Sequence, residues 1–229
     1  MKKLFVAGCS FSDYTQVDKV YGEILAEKLG YEYVHEGSGC GSNYRIWRVI
    51  GGYILSGNLT PNDLLIIQYT STERREFWSH NTPSISEPKK VNLNEPYKNN
   101  GSLLKFKSGS GAWTRFSEEK ALLDLYEKYF CSVEYEQEWF KIMHNFFQTF
   151  LIHYNIKTVF LETVYSYQLK DNGLEKQFEN LYFDWKKNYD TPSIQLVPNQ
   201  DWGHLNIEGH ELLANDLYEH LLKNNICGD

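Results

Sequence analysis

The apolar positions of this chain follow two patterns, which alternate along its length. The continuous apolar run at 63–69 is typical of a parallel strand that is covered on both faces, and shorter apolar stretches at 3–8 and 157–163 also predict strands. Elsewhere the apolar residues recur every three or four positions, which predicts amphipathic helices. In chain order, the predicted strands are 3–8, 31–37, 63–69, 157–163 and 193–197. The predicted helices are 15–30, 42–55, 118–154 (two helices or one kinked helix), 174–188 and 207–224.

This alternation predicts an α/β fold, with one parallel sheet and helices on both of its faces. The 229 residues suit one such domain, residues 1–229, and the chain shows no internal repeat or interdomain linker. One stretch breaks the pattern: about 79–116 holds three of the six prolines and indicates a long insertion after the third strand. Within it, 102–109 suggests a small hairpin. Long loops of this kind are often functional.

Composition narrows the class of protein. The apolar content of 41% and aromatic content of 16% indicate a folded globular chain. The net charge of −7 argues against a nucleic-acid partner, and no apolar run approaches the roughly 20 residues of a membrane span. The start of the chain imitates a signal peptide only loosely, because its apolar part is too short, so we expect a cytoplasmic protein. Delivery by a route without a cleaved signal, or association with a virion, are the alternatives. The four cysteines form no C-x-x-C pair, so no metal site is expected.

Polar segments follow four of the predicted strands. In a parallel sheet the reactive site lies outside the carboxyl ends of the strands, so these segments should meet at one edge. They are Ser10 after the first strand, "GSGCGSN" (37–43) after the second, "TSTERRE" (70–76) after the third and "NQDWGH" (199–204) after the fifth.

The last of these segments places Asp201 and His204 three residues apart, directly before a helix. A catalytic histidine needs a carboxylate that orients it and stabilises its charged form. The alternative is that Asp201 caps the helix and His204 lies in a surface turn. Spacing by itself favours that alternative, and the serine at the tip of the first strand favours the catalytic interpretation.

Three motifs together resemble the SGNH hydrolases, also called GDSL esterases and lipases: "GCSFS" (8–12), "SGCGSN" (38–43) and "DWGHLNIEGHELLA" (201–214). The resemblance implies a flavodoxin-like, three-layer α/β/α sandwich around a five-stranded parallel sheet. It implies a serine esterase or deacylase that needs no cofactor or metal. Its substrate would be a small-molecule or carbohydrate O-acyl ester, with an O-acetyl sugar as one candidate.

The resemblance also implies roles for individual residues. Ser10 would be the nucleophile, His204 the general base and Asp201 its orienting carboxylate. The oxyanion hole would comprise the N–H groups of Ser10 and Gly39, with Gly41 as the competing glycine. Thr72 stands where the family has an asparagine, and Asn43 or Arg74 could substitute for it. Substrate contacts are expected from Asn43, Arg74, Trp202 and Trp113.

Two positions depart from the family pattern. Cys9 replaces the usual aspartate before the serine, and we expect it to be a small buried residue, because adjacent strand residues point to opposite faces. The missing asparagine after the third strand leaves other functions open. One is a catalytically weak or inactive binding or structural module, for example in a viral particle. Another is an acyltransferase that uses the same triad. The oligomeric state is not predicted.

Two secondary interpretations concern charged and titratable side chains. "TERRE" (72–76) indicates either a helix start with ion pairs or a ligand-binding segment. His210 and His220 fall in the last helix, and we expect them at the surface rather than in the catalytic site.

Overall fold

The structure is a computed structural model of the chain. It describes residues 1–14, 17–39, 41–72, 74–78, 103–107, 125, 128–129, 132–162, 182–184 and 204–227. The strands are β1 (Lys3–Gly8), β2 (Glu32–Gly37), β3 (Leu64–Gln68), β4 (Arg74–Trp78), β5 (Leu103–Lys107), β6 (Lys157–Glu162) and β7 (Tyr182–Asp184). The helices are α1 (Tyr21–Leu29), α2 (Asn43–Leu55), α3 (Val133–His153) and α4 (Ile207–Lys223).

Four parallel strands form the sheet in the order β2-β1-β3-β6, and the three-residue strand β7 pairs with β6 at the edge. All four coincide with predicted strands. The predicted fifth strand at 193–197 lies outside the described residues. The helix predicted over 174–188 is wrong at Tyr182–Asp184, where the backbone pairs with β6. Two adjacent aromatic residues favour a strand there over a helix.

Residues of the sheet alternate between two clusters of buried side chains. Successive strand residues point to opposite faces, so β1 contributes Leu4 and Val6 to one cluster and Phe5 and Ala7 to the other. The first cluster contains residues of α1 and α4, and the second contains residues of α2 and α3. The continuous apolar run of β3 is buried along its whole length, as its sequence predicts.

Side-chain caps fix where two of the helices begin. The Ser42 hydroxyl accepts a hydrogen bond from the Arg45 N–H before α2, and Asn206 Oδ1 accepts one from the Gly209 N–H before α4. Helix α1 ends at Gly30, whose φ of 68° is the left-handed conformation that glycine adopts easily. Helix α1 starts only at Tyr21, later than the predicted start at 15.

A separate two-stranded antiparallel sheet joins β4 to β5, with Arg74 opposite Lys107. Strand β5 falls inside the segment 102–109, for which a small hairpin is predicted, but its partner is β4, which lies outside that segment. The helix-start interpretation of "TERRE" is therefore wrong for Arg74, which begins a strand. No helix in the described part of the chain combines the length and the apolar character needed to cross a bilayer.

Candidate active site

Ser10 lies immediately beyond the carboxyl end of β1, in a single 3₁₀ turn over Ser10–Ser12. Cys9 has an extended backbone, and the Ser12 N–H then donates to the Cys9 carbonyl at 3.0 Å, which closes the turn. The turn lifts Ser10 out of the sheet, where its side chain is partly exposed. The expected position of Ser10 at the rim of the sheet is confirmed.

His204 reaches the same place from the far end of the chain. Its Nε2 lies 2.8 Å from Ser10 Oγ, although 194 residues separate the two. The Asn206 cap starts α4 two residues later, which fixes where the histidine backbone enters the site. His204 is 9% exposed, so the residue is largely buried. This is the geometry in which a histidine can take the proton of a serine hydroxyl.

Phe11 covers one face of the His204 ring. Their ring centroids are 4.2 Å apart and the planes are tilted by only 14°. Phe11 is itself buried, so its own packing limits how far the imidazole can move. The sequence pattern does not indicate this contact. A large aromatic residue directly after the candidate nucleophile is the one sign of it in the sequence. His204, its partner in the contact, lies too far along the chain for the pairing to be recognised.

Cys9 points into the core, as expected. It is 1% exposed, and its Sγ lies 3.4 Å from Gln68 Nε2. Ser10, one residue on, faces His204 instead. The two side chains therefore do not share one cleft, and the thiol is no competitor to the hydroxyl at this histidine.

The loop after β2 is hydrogen-bonded to the turn that carries Ser10. The Gly39 N–H donates to Asp13 Oδ2 at 2.7 Å, and Asp13 Oδ1 accepts from the Tyr14 N–H. His35 Nε2 donates to the Ser12 carbonyl at 2.9 Å. Nearby, the Gly41 N–H donates to the Ser38 carbonyl at 2.8 Å. Both candidate oxyanion glycines therefore donate to acceptors within the chain.

The segment after β3 is held by Asn43, the first residue of α2. Asn43 Nδ2 donates to the Thr70 carbonyl at 3.0 Å, and Asn43 Oδ1 accepts from the Thr70 N–H at 2.9 Å. The amide of Asn43 is thus committed to the backbone. Thr72, two residues after Thr70, is buried, and its hydroxyl has no hydrogen-bond partner among the described residues.

The remaining predicted site residues are only partly described. Arg74 Nη1 lies 3.5 Å from the Gly41 carbonyl, so its guanidinium bridges the loops after β2 and β3. Asp201, Trp202 and Trp113 lie outside the described residues.

His210 was expected at the surface, and that prediction is wrong. It is buried on α4, and its Nδ1 accepts from the Tyr21 N–H at 3.2 Å. Burial, with a smaller contribution from the charge of His204, lowers the pKa of His210 to about 4. His210 is therefore a neutral residue that ties α4 to α1. His220 is half-buried, with its carbonyl accepting from Asn224 Nδ2.

The fold of this chain is similar to that of other proteins with solved structures. A protein from Desulfitobacterium hafniense DCB-2, described as lipolytic and of the G-D-S-L family, matches over 96% of this chain and 100% of its own, with 10% identity and a TM-score of 0.54. The chain has the fold of the SGNH hydrolases. A protein from Lactobacillus plantarum matches over 97% of both chains, with 13% identity and a TM-score of 0.50. By sequence, neither a protein-family model nor a curated protein matches this chain significantly.

This fold agrees with the α/β fold that the resemblance implies. It also agrees with the position of the site, since Ser10, Gly39 and Thr72 all follow carboxyl ends of neighbouring strands, β1, β2 and β3. At such low sequence identity the likeness concerns architecture, and the chemistry has to be argued from the side chains.

Proposed function

We propose that this chain is a serine ester hydrolase in which Ser10 attacks an acyl carbonyl and His204 accepts the serine proton. The observation that carries the proposal is the 2.8 Å separation between His204 Nε2 and Ser10 Oγ. A general base must lie within hydrogen-bond distance of the proton that it removes. The lipolytic description of the structural neighbour with the SGNH fold supports the same class of reaction.

The reaction would proceed in two halves. Ser10 Oγ forms a bond to the carbonyl carbon while its proton moves to His204 Nε2, and collapse of the tetrahedral intermediate breaks the ester bond. His204 then protonates the departing alcohol oxygen and leaves an acyl group on Ser10. Water attacks that acyl group with His204 as base, which releases a carboxylic acid and restores Ser10. Asp201 would orient His204, and the reaction needs no cofactor or metal.

The developing oxyanion would be stabilised by the N–H groups of Ser10 and Gly39 and by the hydroxyl of Thr72. That hydroxyl is buried and has no hydrogen-bond partner in the part of the chain that the structure describes, which supports its assignment, because it can donate without breaking a bond seen there. Gly39 would have to exchange its present acceptor, Asp13, for the oxyanion. We expect the substrate to be a small-molecule or carbohydrate O-acyl ester, in contact with Arg74, Trp113 and Trp202.

One observation favours a second candidate, a catalytically weak or inactive module of the same fold. Gly39 and Gly41 both direct their N–H groups to acceptors within the chain. An oxyanion hole works because its donors are already aimed at the position of the developing charge. Donors that must first be released give less stabilisation.

Labelling with a fluorophosphonate probe tests the proposal. Intact-protein and peptide mass spectrometry should find one adduct, on Ser10, in the wild type and none in Ser10→Ala or His204→Ala. Ser56→Ala and His153→Ala are matched controls on exposed residues and should label like the wild type. Absence of any adduct on a folded wild-type protein would refute the hydrolase and favour the inactive module. An adduct at Ser10 would direct the work to a panel of acyl esters.

A further inference from the structure

Gln68 is a wholly buried polar residue at the end of β3, beside the turn that carries Ser10. Strand β3 lies next to β1 in the sheet, and the registered pairs between them end at Ala7 and Ile67. Gln68 therefore sits at the point where β1 gives way to the 3₁₀ turn. Neither the motifs nor the proposed reaction gives this residue a role.

The Gln68 carboxamide contacts Cys9, which precedes Ser10, and Ser12, which lies two residues after it. Its Oε1 accepts from Ser12 Oγ at 2.8 Å, and its Nε2 lies 3.4 Å from Cys9 Sγ. Its Nε2 also donates to the Tyr69 carbonyl at 2.9 Å. Because a carbonyl oxygen can only accept, this last bond fixes which end of the amide faces Ser12.

The network continues into α1 and has one consistent set of donors. Ser12 has a single hydroxyl proton, which it gives to Gln68 Oε1. The Tyr21 hydroxyl, 2.9 Å from Ser12 Oγ, must therefore be the donor in that pair. A buried polar network in which the members are satisfied makes the local geometry rigid and specific.

Gly8 allows this close approach. A Cβ at position 8 would lie 2.6 Å from Ser12 Oγ and 2.7 Å from Gln68 Oε1, closer than any real Cβ contact. Glycine at the end of β1 therefore leaves the space that the Gln68 carboxamide and the Ser12 hydroxyl occupy. Among the described residues, the short-range backbone bonds of the 3₁₀ turn are Ser12 N–H to Cys9 O and Asp13 N–H to Ser10 O, the second at 3.4 Å. Such a turn is weakly held by its own hydrogen bonds.

We propose that Gln68 is a positioning residue. Through its hydrogen bonds with Cys9 Sγ and Ser12 Oγ, it holds Ser10 at hydrogen-bond distance from His204. The expected effect on turnover rests on the proposed function, whereas the expected effect on the distance between Ser10 and His204 does not. Reacting groups must be held within a fraction of an ångström of their productive geometry. Loss of the Gln68 contacts should therefore slow the reaction of Ser10 much more than it weakens binding of the substrate or probe.

A set of variants tests this proposal through the rate of fluorophosphonate labelling. Gln68→Met keeps the length of the side chain but has no hydrogen-bonding amide, and should slow Ser10 labelling at least tenfold while reversible probe affinity changes less than twofold. Gln68→Glu should recover part of the rate, because a neutral buried acid can accept from Ser12 and donate to Tyr69. Ser12→Ala should cost less in the Gln68→Met background than in the wild type, because the Ser12–Gln68 bond is then already lost and the hydrogen bond from Tyr21 is what remains to be removed. Gln148→Met, at a buried glutamine of α3, is the matched control and should label normally.

A spectroscopic readout separates failure of this proposal from failure of the hydrolase. The imidazole ¹⁵N chemical shift of His204 Nε2 reports its hydrogen bond to Ser10 whether or not the protein turns over. We expect that shift to change in Gln68→Met and to stay unchanged in Gln148→Met. A wild-type shift in a folded Gln68→Met protein would overturn the positioning role, as would a wild-type labelling rate. A wild type that fails to label would count against the hydrolase only.

Discussion

The backbone N–H of Gly39 donates to the carboxylate of Asp13 at 2.7 Å, three residues beyond Ser10 in the chain. A carboxylate is a stronger acceptor than a neutral ester carbonyl, so the substrate competes poorly for this donor until it carries negative charge. Asp13 thus ties the turn after β1 to the loop after β2, and at the same time occupies a donor that the proposed reaction would use.

Asp13→Asn should therefore accelerate labelling of Ser10. An amide oxygen holds the Gly39 N–H less tightly than a carboxylate by roughly 1 kcal/mol, which corresponds to about a fivefold faster reaction. Second-order rate constants with the fluorophosphonate probe measure the effect. Asp18→Asn is the control, because it removes the same charge from an exposed side chain. A slower reaction in Asp13→Asn would show that the tie to Gly39 is needed to align the loop.

Much of the sheet and the convergence of the site could be predicted from local pattern. The runs that become β1, β3 and β6 are apolar on both faces, and this pattern depends on no distant contact. The meeting of Ser10 with His204 follows from the parallel topology, since both lie at the carboxyl side of the sheet.

What the sequence did not reveal are contacts between residues distant in the chain. Nothing in "TERRE" indicates a strand, because β4 is defined by its pairing with β5 thirty residues later. His210 looks like a polar helix residue until Tyr21, 189 positions away, is seen to donate to it. The hydrogen bond between Asp13 and Gly39 likewise joins a side chain to a backbone N–H. Because almost every residue has a backbone N–H, the sequence does not indicate which one Asp13 will bind.

Asn43→Ala should destabilise the protein strongly although Asn43 was expected to contact substrate. It removes both partners of the Thr70 backbone, and each buried group left unsatisfied costs roughly 1–3 kcal/mol. We expect the free energy of unfolding in urea to fall by roughly 2–4 kcal/mol. Asn58→Ala, at an exposed asparagine, should change it by less than about 0.5 kcal/mol. Equal effects of the two changes would contradict the bracing role of Asn43.

Acid should destabilise the fold through two buried histidines. Burial lowers the pKa of His144 to about 3 and that of His210 to about 4, whereas an unfolded histidine titrates near 6.5. The unfolded state therefore binds more protons than the native state as pH falls below 6.5, so stability present at pH 7 is lost progressively toward pH 4 and 3. Between pH 6.5 and 5 the loss is roughly 2 kcal/mol per histidine.

Urea unfolding at several pH values measures this loss. His144 Nδ1 is hydrogen-bonded to the Tyr69 hydroxyl in the core, so His144→Gln should be less stable at pH 7 but should show a shallower decline toward pH 5. His153→Gln, at an exposed histidine, should leave the slope as it is. An unchanged slope in His144→Gln would show that this residue does not govern the acid sensitivity.

Thr72→Val separates catalytic from structural roles in one substitution. The Thr72 hydroxyl is buried and finds no hydrogen-bond partner among the residues described, so replacing it by a methyl group should leave the free energy of unfolding unchanged or slightly higher. If that hydroxyl donates to the oxyanion, labelling of Ser10 should nevertheless slow by roughly tenfold or more. Thr70 carries a second buried hydroxyl that has no partner within the described ranges, and Thr70→Val should preserve both stability and rate. Thr72→Ser should retain most of the reactivity, because the donor remains. A normal rate in Thr72→Val would remove Thr72 from the oxyanion hole and leave the backbone N–H groups of Ser10 and Gly39 to stabilise the charge.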